Sequence, residues 1–221
     1  MNWKAAVSGL AAAALLGGAA WVLLVSDVVG VARIEVVGRD RLPESQVVAS
    51  AGVPLGFPML RLDLDDLERK VKSIKQVETA EIVREWPGTL RISIKERVPL
   101  VMAEIAGRFV QIDRHGVAVE ITATSPERRL PRLNVARIGP DDPATKSALT
   151  VLNTLPDEIV RRLSALEAPT PEGVTLRFTD GRSVIWGGPE RAAEKLKALS
   201  ALLRLRGTIY NVSSPGAVSV K

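Results

Sequence analysis

The chain has 221 residues, 46% hydrophobic and 25% charged, with no Cys and one His, a composition that excludes disorder, a collagen-like repeat and a disulfide framework. Without cysteine there is no thiol nucleophile and no thiolate metal site, and a lone histidine leaves no His pair for zinc. The net charge is +5, but arginines are interleaved with acids and only 4% of residues are aromatic, so nucleic acid is not an expected partner.

Ala5 to Val25 carries no charge over 21 residues, and at about 1.5 Å per residue a helix of that length spans the hydrocarbon of a bilayer. A transmembrane anchor is therefore expected over residues 5–25, behind a short tail of residues 1–4. The competing reading is a cleaved signal peptide, because Lys4 gives a basic start and Gly18-Ala19-Ala20 resembles a cleavage site. The apolar run continues through Trp21 to Val25, past that site, which favours an uncleaved anchor. A four-residue leader before a long following chain points to a cytoplasmic N-terminus.

Beyond the anchor, Arg33 to Val37 reads as a strand closed by Gly38, and Pro43 opens a helix over Glu44 to Ala51 ended by Gly52. Asp63 caps a second helix in which Leu64, Leu67, Val71 and Ile74 share one face. Val77 to Glu85 is a branched strand, Trp86-Pro87-Gly88 turns the chain, and Leu90, Ile92 and Ile94 alternate with polar residues at period two. The order is β-α-α-β-β, with two helices covering one face of a three-stranded sheet.

A second module follows. Pro99 breaks the first sheet, and Leu100 to Ile105 and Phe109 to Ile112 read as strands joined around Gly107. Pro143 to Leu152 and Asp157 to Leu163 read as short helices. Asp180-Gly181 between Val174, Leu176, Phe178 and Val184, Trp186 is a hairpin signal. Gly188-Pro189 starts a helix with Ala192, Leu196, Leu199 and Leu203 on one face and Gly207 as its stop. Ile209, Tyr210 and Val212, then Ala217 to Val220, finish as strand around a turn at Ser213 to Gly216. The last strand reaches Lys221 with no continuation, and is expected to be a sheet edge whose unpaired N–H and C=O groups can template another chain.

The run Val77, Ala80, Val83, Arg84, Trp86-Pro87, Leu90, Ile92, Ile94, Glu96-Arg97 and Pro99 resembles the close of the POTRA domain of the FtsQ/DivIB family of bacterial cell-division proteins. Asp113 and Gly116, Leu130-Pro131-Arg132-Leu133 and Asp180-Gly181-Arg182 extend the resemblance over nearly the whole chain. It implies an α+β fold: one N-terminal transmembrane helix, a β-α-α-β-β POTRA domain over residues 31–99, and a second mixed α/β sheet domain over residues 100–221. It also implies a non-enzymatic divisome scaffold of the bacterial cell membrane at the division septum, single-pass, with the bulk of the chain extracytoplasmic. The partners implied are FtsB-like and FtsL-like single-span proteins bound by strand addition, other divisome components through the POTRA domain, and the bilayer. No cofactor or metal is implied.

Carried over, the contact strand is Ser214 to Lys221, with Tyr210, Val212, Ser213, Ser214, Gly216, Ala217, Val218, Ser219 and Val220 as candidate partner-binding residues. The preceding helix adds Arg191 and Lys195, beside Lys197, Arg204 and Arg206, as a positive face for an acidic segment; the bland reading is a solvated helix face. Asn211, where many relatives have Asp, makes this strand less charged. A further candidate contact is the sheet edge at Arg33 to Val37.

Catalytic constellations are sparse. His115 sits in the turn Asp113-Arg114-His115-Gly116, and the pairs Asp65-Asp66 and Asp141-Asp142 lie at a helix start and in a Pro-rich loop, where capping explains them. No phosphate-cradling glycine motif is present. The alternatives are a membrane-anchored extracytoplasmic hydrolase, which would need a carboxylate-only site, and a POTRA-bearing transport or chaperone component, which usually carries further POTRA repeats or a barrel.

Overall fold

The structure is a computed structural model describing residues 30–123 and 130–221, together with positions 3, 10–15, 17 and 18. The chain divides into two compact units, Met1–Arg97 and Val98–Lys221. Of the expected anchor, residues 10–15, 17 and 18 are helical and the rest lies outside the described residues. Among the described residues no helix is long and apolar enough to cross a membrane.

In the first unit, β1 (Arg33–Val37), α1 (Glu44–Ala51), α2 (Leu64–Lys72), β2 (Val77–Glu85) and β3 (Thr89–Glu96) follow the expected β-α-α-β-β order. The sheet runs β1-β3-β2, with β1 parallel and β2 antiparallel to β3. Period-two alternation in β3 buries Leu90, Ile92 and Ile94 on the face that also takes Ala80 and Ile82 of β2. Asp63 caps α2 by accepting from the Asp66 N–H at 3.0 Å, and Leu67 and Val71 are buried on its inner face. Each such aliphatic side chain contributes about 1.5–3 kcal/mol by leaving water. Gly52 ends α1 in the left-handed region at φ 63°, where a side chain would be strained. A short 3-10 turn at Met59–Arg61, which no periodicity signalled, buries Met59 completely.

The second unit holds β4 (Pro99–Ile105), β5 (Arg108–Asp113), β6 (Ala118–Thr122), β7 (Arg132–Val135), α3 (Pro143–Thr154), α4 (Asp157–Val160), β8 (Leu163–Ala168), β9 (Val174–Phe178), β10 (Ser183–Gly187), α5 (Ala192–Leu202), β11 (Ile209–Asn211) and β12 (Ser219–Val220). These strands form one nine-stranded sheet in the order β12-β11-β10-β9-β8-β7-β4-β5-β6. Its core gathers Trp186, Leu166, Leu176 and Val184 from the strands with Leu149, Leu152 and Leu199 from α3 and α5. The β7–β4 seam is narrow, registering only the pair Met102 and Arg132. Glu104, Arg132, Asn134, Val135 and Glu167 line a cleft of about 800 Å³.

Several boundaries differ from expectation. Pro99 does stand between the two sheets, but β4 starts on it and not at Leu100, a first-residue position that needs no N–H from proline. The helix expected over Asp157 to Leu163 stops at Val160, and Leu163 instead begins β8. The helix expected from Gly188 starts at Ala192. Its inner face is Lys195, Leu199 and Leu202, with Ala192, Leu196 and Leu203 half-buried beside them.

Candidate partner-binding edge

The β12 edge is built from the α5–β11 connection outward. Tyr210 is completely buried, and its hydroxyl lies 3.0 Å from the Leu205 carbonyl and 2.9 Å from that of Gly207, fixing the turn that delivers β11. β11 then runs parallel to β10, pairing Val184 with Tyr210. The Asn211 side-chain oxygen accepts from the Ser213 N–H at 3.0 Å and from its hydroxyl at 2.8 Å, turning the chain out of β11. Val212, also fully buried, donates its N–H to the Ile185 carbonyl at 2.9 Å.

After the turn the chain returns antiparallel. Lys221 N–H donates to the Ile209 carbonyl at 2.9 Å, and the Lys221 carbonyl accepts from Ile209 and Thr208 at 3.0 and 2.7 Å. Tyr210 stands opposite Val220 and Asn211 opposite Ser219. In an antiparallel ladder bonded pairs alternate, so Lys221 spends its backbone groups inward while the Val220 N–H and C=O point away from the sheet. Gly207 makes room for this strand: a Cβ there would lie 2.3 Å from Val220 Cγ1. The edge is shorter than the expected Ser214 to Lys221 segment. Ser219 and Val220 alone are strand, because Ser214 accepts from the Ala217 N–H in a turn and Pro215 has no N–H to give a ladder.

The candidate residues fall into two sets. Ser214, Gly216, Ala217, Val218 and Ser219 are exposed, and Ser213 and Val220 are half-buried. Tyr210 and Val212 are core residues that support the edge without reaching its surface. Around it lie exposed apolar side chains that sequence reasoning missed: Ile185 of β10, Ile209 of β11 and Leu205 of the connecting turn. The out-of-phase position of Ile185 between buried Val184 and Trp186 was the available signal.

The helix charges divide likewise. Arg191 is exposed and pairs with Glu194 at 2.7 Å, which raises the guanidinium pKa and lowers that of the carboxylate. Lys195 corrects the expectation of a solvent-facing charge: it is 3% exposed, and its Nζ donates to the Gly188 carbonyl at 2.8 Å. Burial pushes its pKa down, with Glu190 opposing and Arg191 reinforcing the shift. At the β9–β10 hairpin, Arg162 and Arg182 stand 5.8 and 5.9 Å from the Phe178 ring centroid. Asp180 binds both arginines, and the Arg182 hydrogen bond above all lowers its pKa to about 2.

In the first unit the recognised motif residues do structural work. The Arg84 guanidinium donates to the carbonyls of Met59 and Leu62 at 2.7 and 2.6 Å. Glu96 accepts from the backbone N–H groups of Asp40, Arg41 and Leu42. Arg97 donates its N–H to the Gln76 carbonyl at 2.7 Å, and Trp86 and Pro87 form the β2–β3 turn. β1 is an outer strand of its sheet, with Arg33 exposed on it.

The residues weighed for chemistry are spread apart in use. His115 is exposed in its turn, its N–H bonded to the Asp113 carboxylate at 2.9 Å. Asp66 pairs with Lys70 at 2.8 Å and Asp142 caps α3 through the Thr145 N–H. Among the described residues no group of three acids or histidines could hold a metal ion.

Two family models match the chain: "POTRA domain, FtsQ-type" over residues 29–97 and "Cell division protein FtsQ/DivIB, C-terminal" over residues 101–214. The second match ends before β12. Relatives named "Cell division protein FtsQ" include that of Mycolicibacterium smegmatis, 39% identical over 100% of this chain and 64% of that protein. The protein of that name from Streptomyces bingchenggensis is 31% identical over 97% of this chain and 84% of its own length. The chain spans about three fifths of the mycobacterial relatives it matches. A solved structure titled as the major extracytoplasmic domain of the trans isomer of the cell division protein DivIB from Geobacillus stearothermophilus aligns at 23% identity, covering 51% of this chain and 98% of that chain, with a TM-score of 0.36. With two FtsQ-type models covering residues 29–97 and 101–214 in order, the chain belongs to the FtsQ/DivIB family of bacterial cell-division proteins.

Proposed function

We propose that this chain is a non-enzymatic, membrane-anchored scaffold of the divisome, whose β12 edge accepts a strand from small single-span division proteins of the FtsB and FtsL type. In this reading residues 1–4 are a cytoplasmic tail, 5–25 the anchor, 31–99 the POTRA domain and 100–221 the binding domain, extracytoplasmic at the septum. By holding such partners in the same bilayer it helps recruit and regulate septal peptidoglycan synthesis, and tethering raises their effective concentration so that modest contacts suffice.

The observation that carries the proposal is the outermost place of β12 in the nine-stranded sheet, with the Val220 backbone pair directed away from β11. Exposed Ile209, Ile185 and Val218 supply apolar contact beside that pair. The test is Val220→Pro in the full chain, followed by capture from membranes and mass spectrometry. Proline removes the outward N–H but no inward bond, so the domain folds while strand addition loses a hydrogen bond and meets a ring. Small single-span proteins should be captured with the parent chain and lost, by about tenfold or more, with the variant. Equal capture by both would overturn the β12 assignment.

A further inference from the structure

The first unit leaves four large apolar side chains exposed between residues 30 and 97: Leu55 (69%), Leu60 (42%), Val83 (37%) and Trp86 (51%). Leu55, Leu60 and Trp86 belong to turns gathered where the chain enters the unit. Val31 donates its N–H to the Phe57 carbonyl at 2.9 Å and accepts from Gly56 at 2.8 Å, while Ala32 and Arg33 both donate to the Gly88 carbonyl. Gly30 bridges to Pro58, two residues before Leu60. The backbones are close enough that a Cβ on Gly30 would sit 2.5 Å from the Gly56 oxygen, and one on Gly88 would sit 3.0 Å from Ala32 Cβ. Gly30 to Arg33, Leu55, Gly56 and Pro87 to Thr89 line one open crevice at this end. Exposed Arg33 belongs to its lining, and Arg61, also exposed, directly follows Leu60 in the chain. The nearest acid along the chain from Arg61 is Asp63, whose carboxylate is engaged by the Asp66 N–H.

What faces this rim follows from chain length. Val25, the last residue of the apolar run, lies five positions before Gly30, a reach of at most about 18 Å even when fully extended. We infer that the rim formed by Leu55, Leu60 and Trp86, flanked by Arg33 and Arg61, rests on the anionic surface of the bilayer that holds the anchor. The inference depends on the anchor reading and deepens it. An indole exposed beside an apolar pair suits the headgroup layer, and guanidinium groups at its margin meet lipid phosphates. Through its four backbone bonds the entry segment holds the rim in a fixed orientation, so the unit stands on the membrane instead of swinging from a free linker.

The cysteine-free sequence makes the test direct. Full-length single-cysteine variants Leu55→Cys, Trp86→Cys, Lys75→Cys and Ala13→Cys are labelled with a polarity-sensitive fluorophore and reconstituted into vesicles of phosphatidylethanolamine and phosphatidylglycerol. Some vesicles carry spin-labelled lipid quenchers, shallow or deep. Lys75 precedes β2 and Trp86 follows it, so the two sites lie about 30 Å apart at opposite ends of a nine-residue strand. Residues 55 and 86 should lose most of their emission to the shallow quencher and residue 75 none, with residue 13 lost to the deep one. In the Arg33→Glu, Arg61→Glu background the loss at 55 and 86 should fall. Quenching at 13 without quenching at 55 and 86 would overturn the docked rim and leave the anchor standing. An unquenched residue 13 would overturn the anchor reading and the rim with it.

Discussion

The Glu96 carboxylate accepts the Leu42 N–H at 2.8 Å across 54 positions of sequence, and the N–H groups of Asp40 and Arg41 converge on the same oxygen at 2.7 and 3.0 Å. One carboxylate at the end of β3 thus organises the loop that follows β1, and replaces three hydrogen bonds the loop would otherwise make to water.

Glu96→Gln should therefore loosen that loop. The amide keeps one acceptor but turns a donor toward N–H groups, at an expected cost of about 1–3 kcal/mol. Burial alone would raise the Glu96 pKa, yet the three backbone bonds outweigh it and hold the value below the ordinary one. The folded state therefore binds its proton less readily than the unfolded chain. The stabilisation is complete above the unfolded value, near 4.5, and is lost as pH falls through the lower folded value. Hydrogen-exchange protection at Asp40 to Leu42, taken against the intrinsic rate at each pH, should fall from neutral to acid pH in the parent chain and be low throughout in the variant.

Arg84→Ala removes both donors from the Met59 and Leu62 carbonyls. The 3-10 turn then loses its tie to β2, and the expected cost is about 2–3 kcal/mol. Arg84→Lys should recover only part of this, since one ammonium lacks the guanidinium fork. Exchange protection from Met59 to Leu62 is the measurement, with β8 to β10 as an internal reference that should not change.

Lys195→Glu and Arg191→Glu, equivalent on a helical wheel of charges, should differ sharply. The first buries an acid against the Gly188 carbonyl and should cost about 3–5 kcal/mol, whereas the second alters an exposed pair and should change stability by less than about 1 kcal/mol. Because burial lowers the Lys195 pKa, the unfolded chain binds the proton more strongly, and stability should rise with pH between the folded value and 10.5. Lys195→Met should abolish that alkaline rise in denaturant midpoint.

Tyr210→Phe deletes the hydroxyl between the Leu205 and Gly207 carbonyls while keeping the ring in the core. About 1 kcal/mol of stability should be lost. Urea titration should show a shifted midpoint with an unchanged slope, and capture of a strand-adding partner should weaken less than in Val220→Pro.

Legibility in the sequence tracked local signals. The Asp63 cap, the β3 alternation and the Asp180-Gly181 turn are decided within a few residues, and each stands where the pattern put it. β8 was hidden because Leu163-Ser-Ala-Leu-Glu-Ala is made mostly of helix formers, and only its place between β7 and β9 makes it a strand. β7, four residues behind Pro131, is too short to show a period. The inward turn of Lys195 was invisible to a reading that assigns every lysine to solvent. At the β12 edge the outermost position was legible, but its brevity was not, since that depends on the Ala217 N–H closing a turn onto the Ser214 carbonyl.

The parallel pairing of β1 with β3 bears on how the first unit carries load. Tension arriving through Gly30 enters at the beginning of β1, and tension leaving through Arg97 departs from the end of β3. For parallel neighbours those points lie at opposite ends, so a pull along the chain shears all five registered pairs, Arg33 with Thr89 through Val37 with Ser93, at once. A hairpin pulled from its open end would instead unzip one pair at a time. Loaded through its two ends, the first unit thus resists as a single sheared ladder and has no pair from which it can be peeled open.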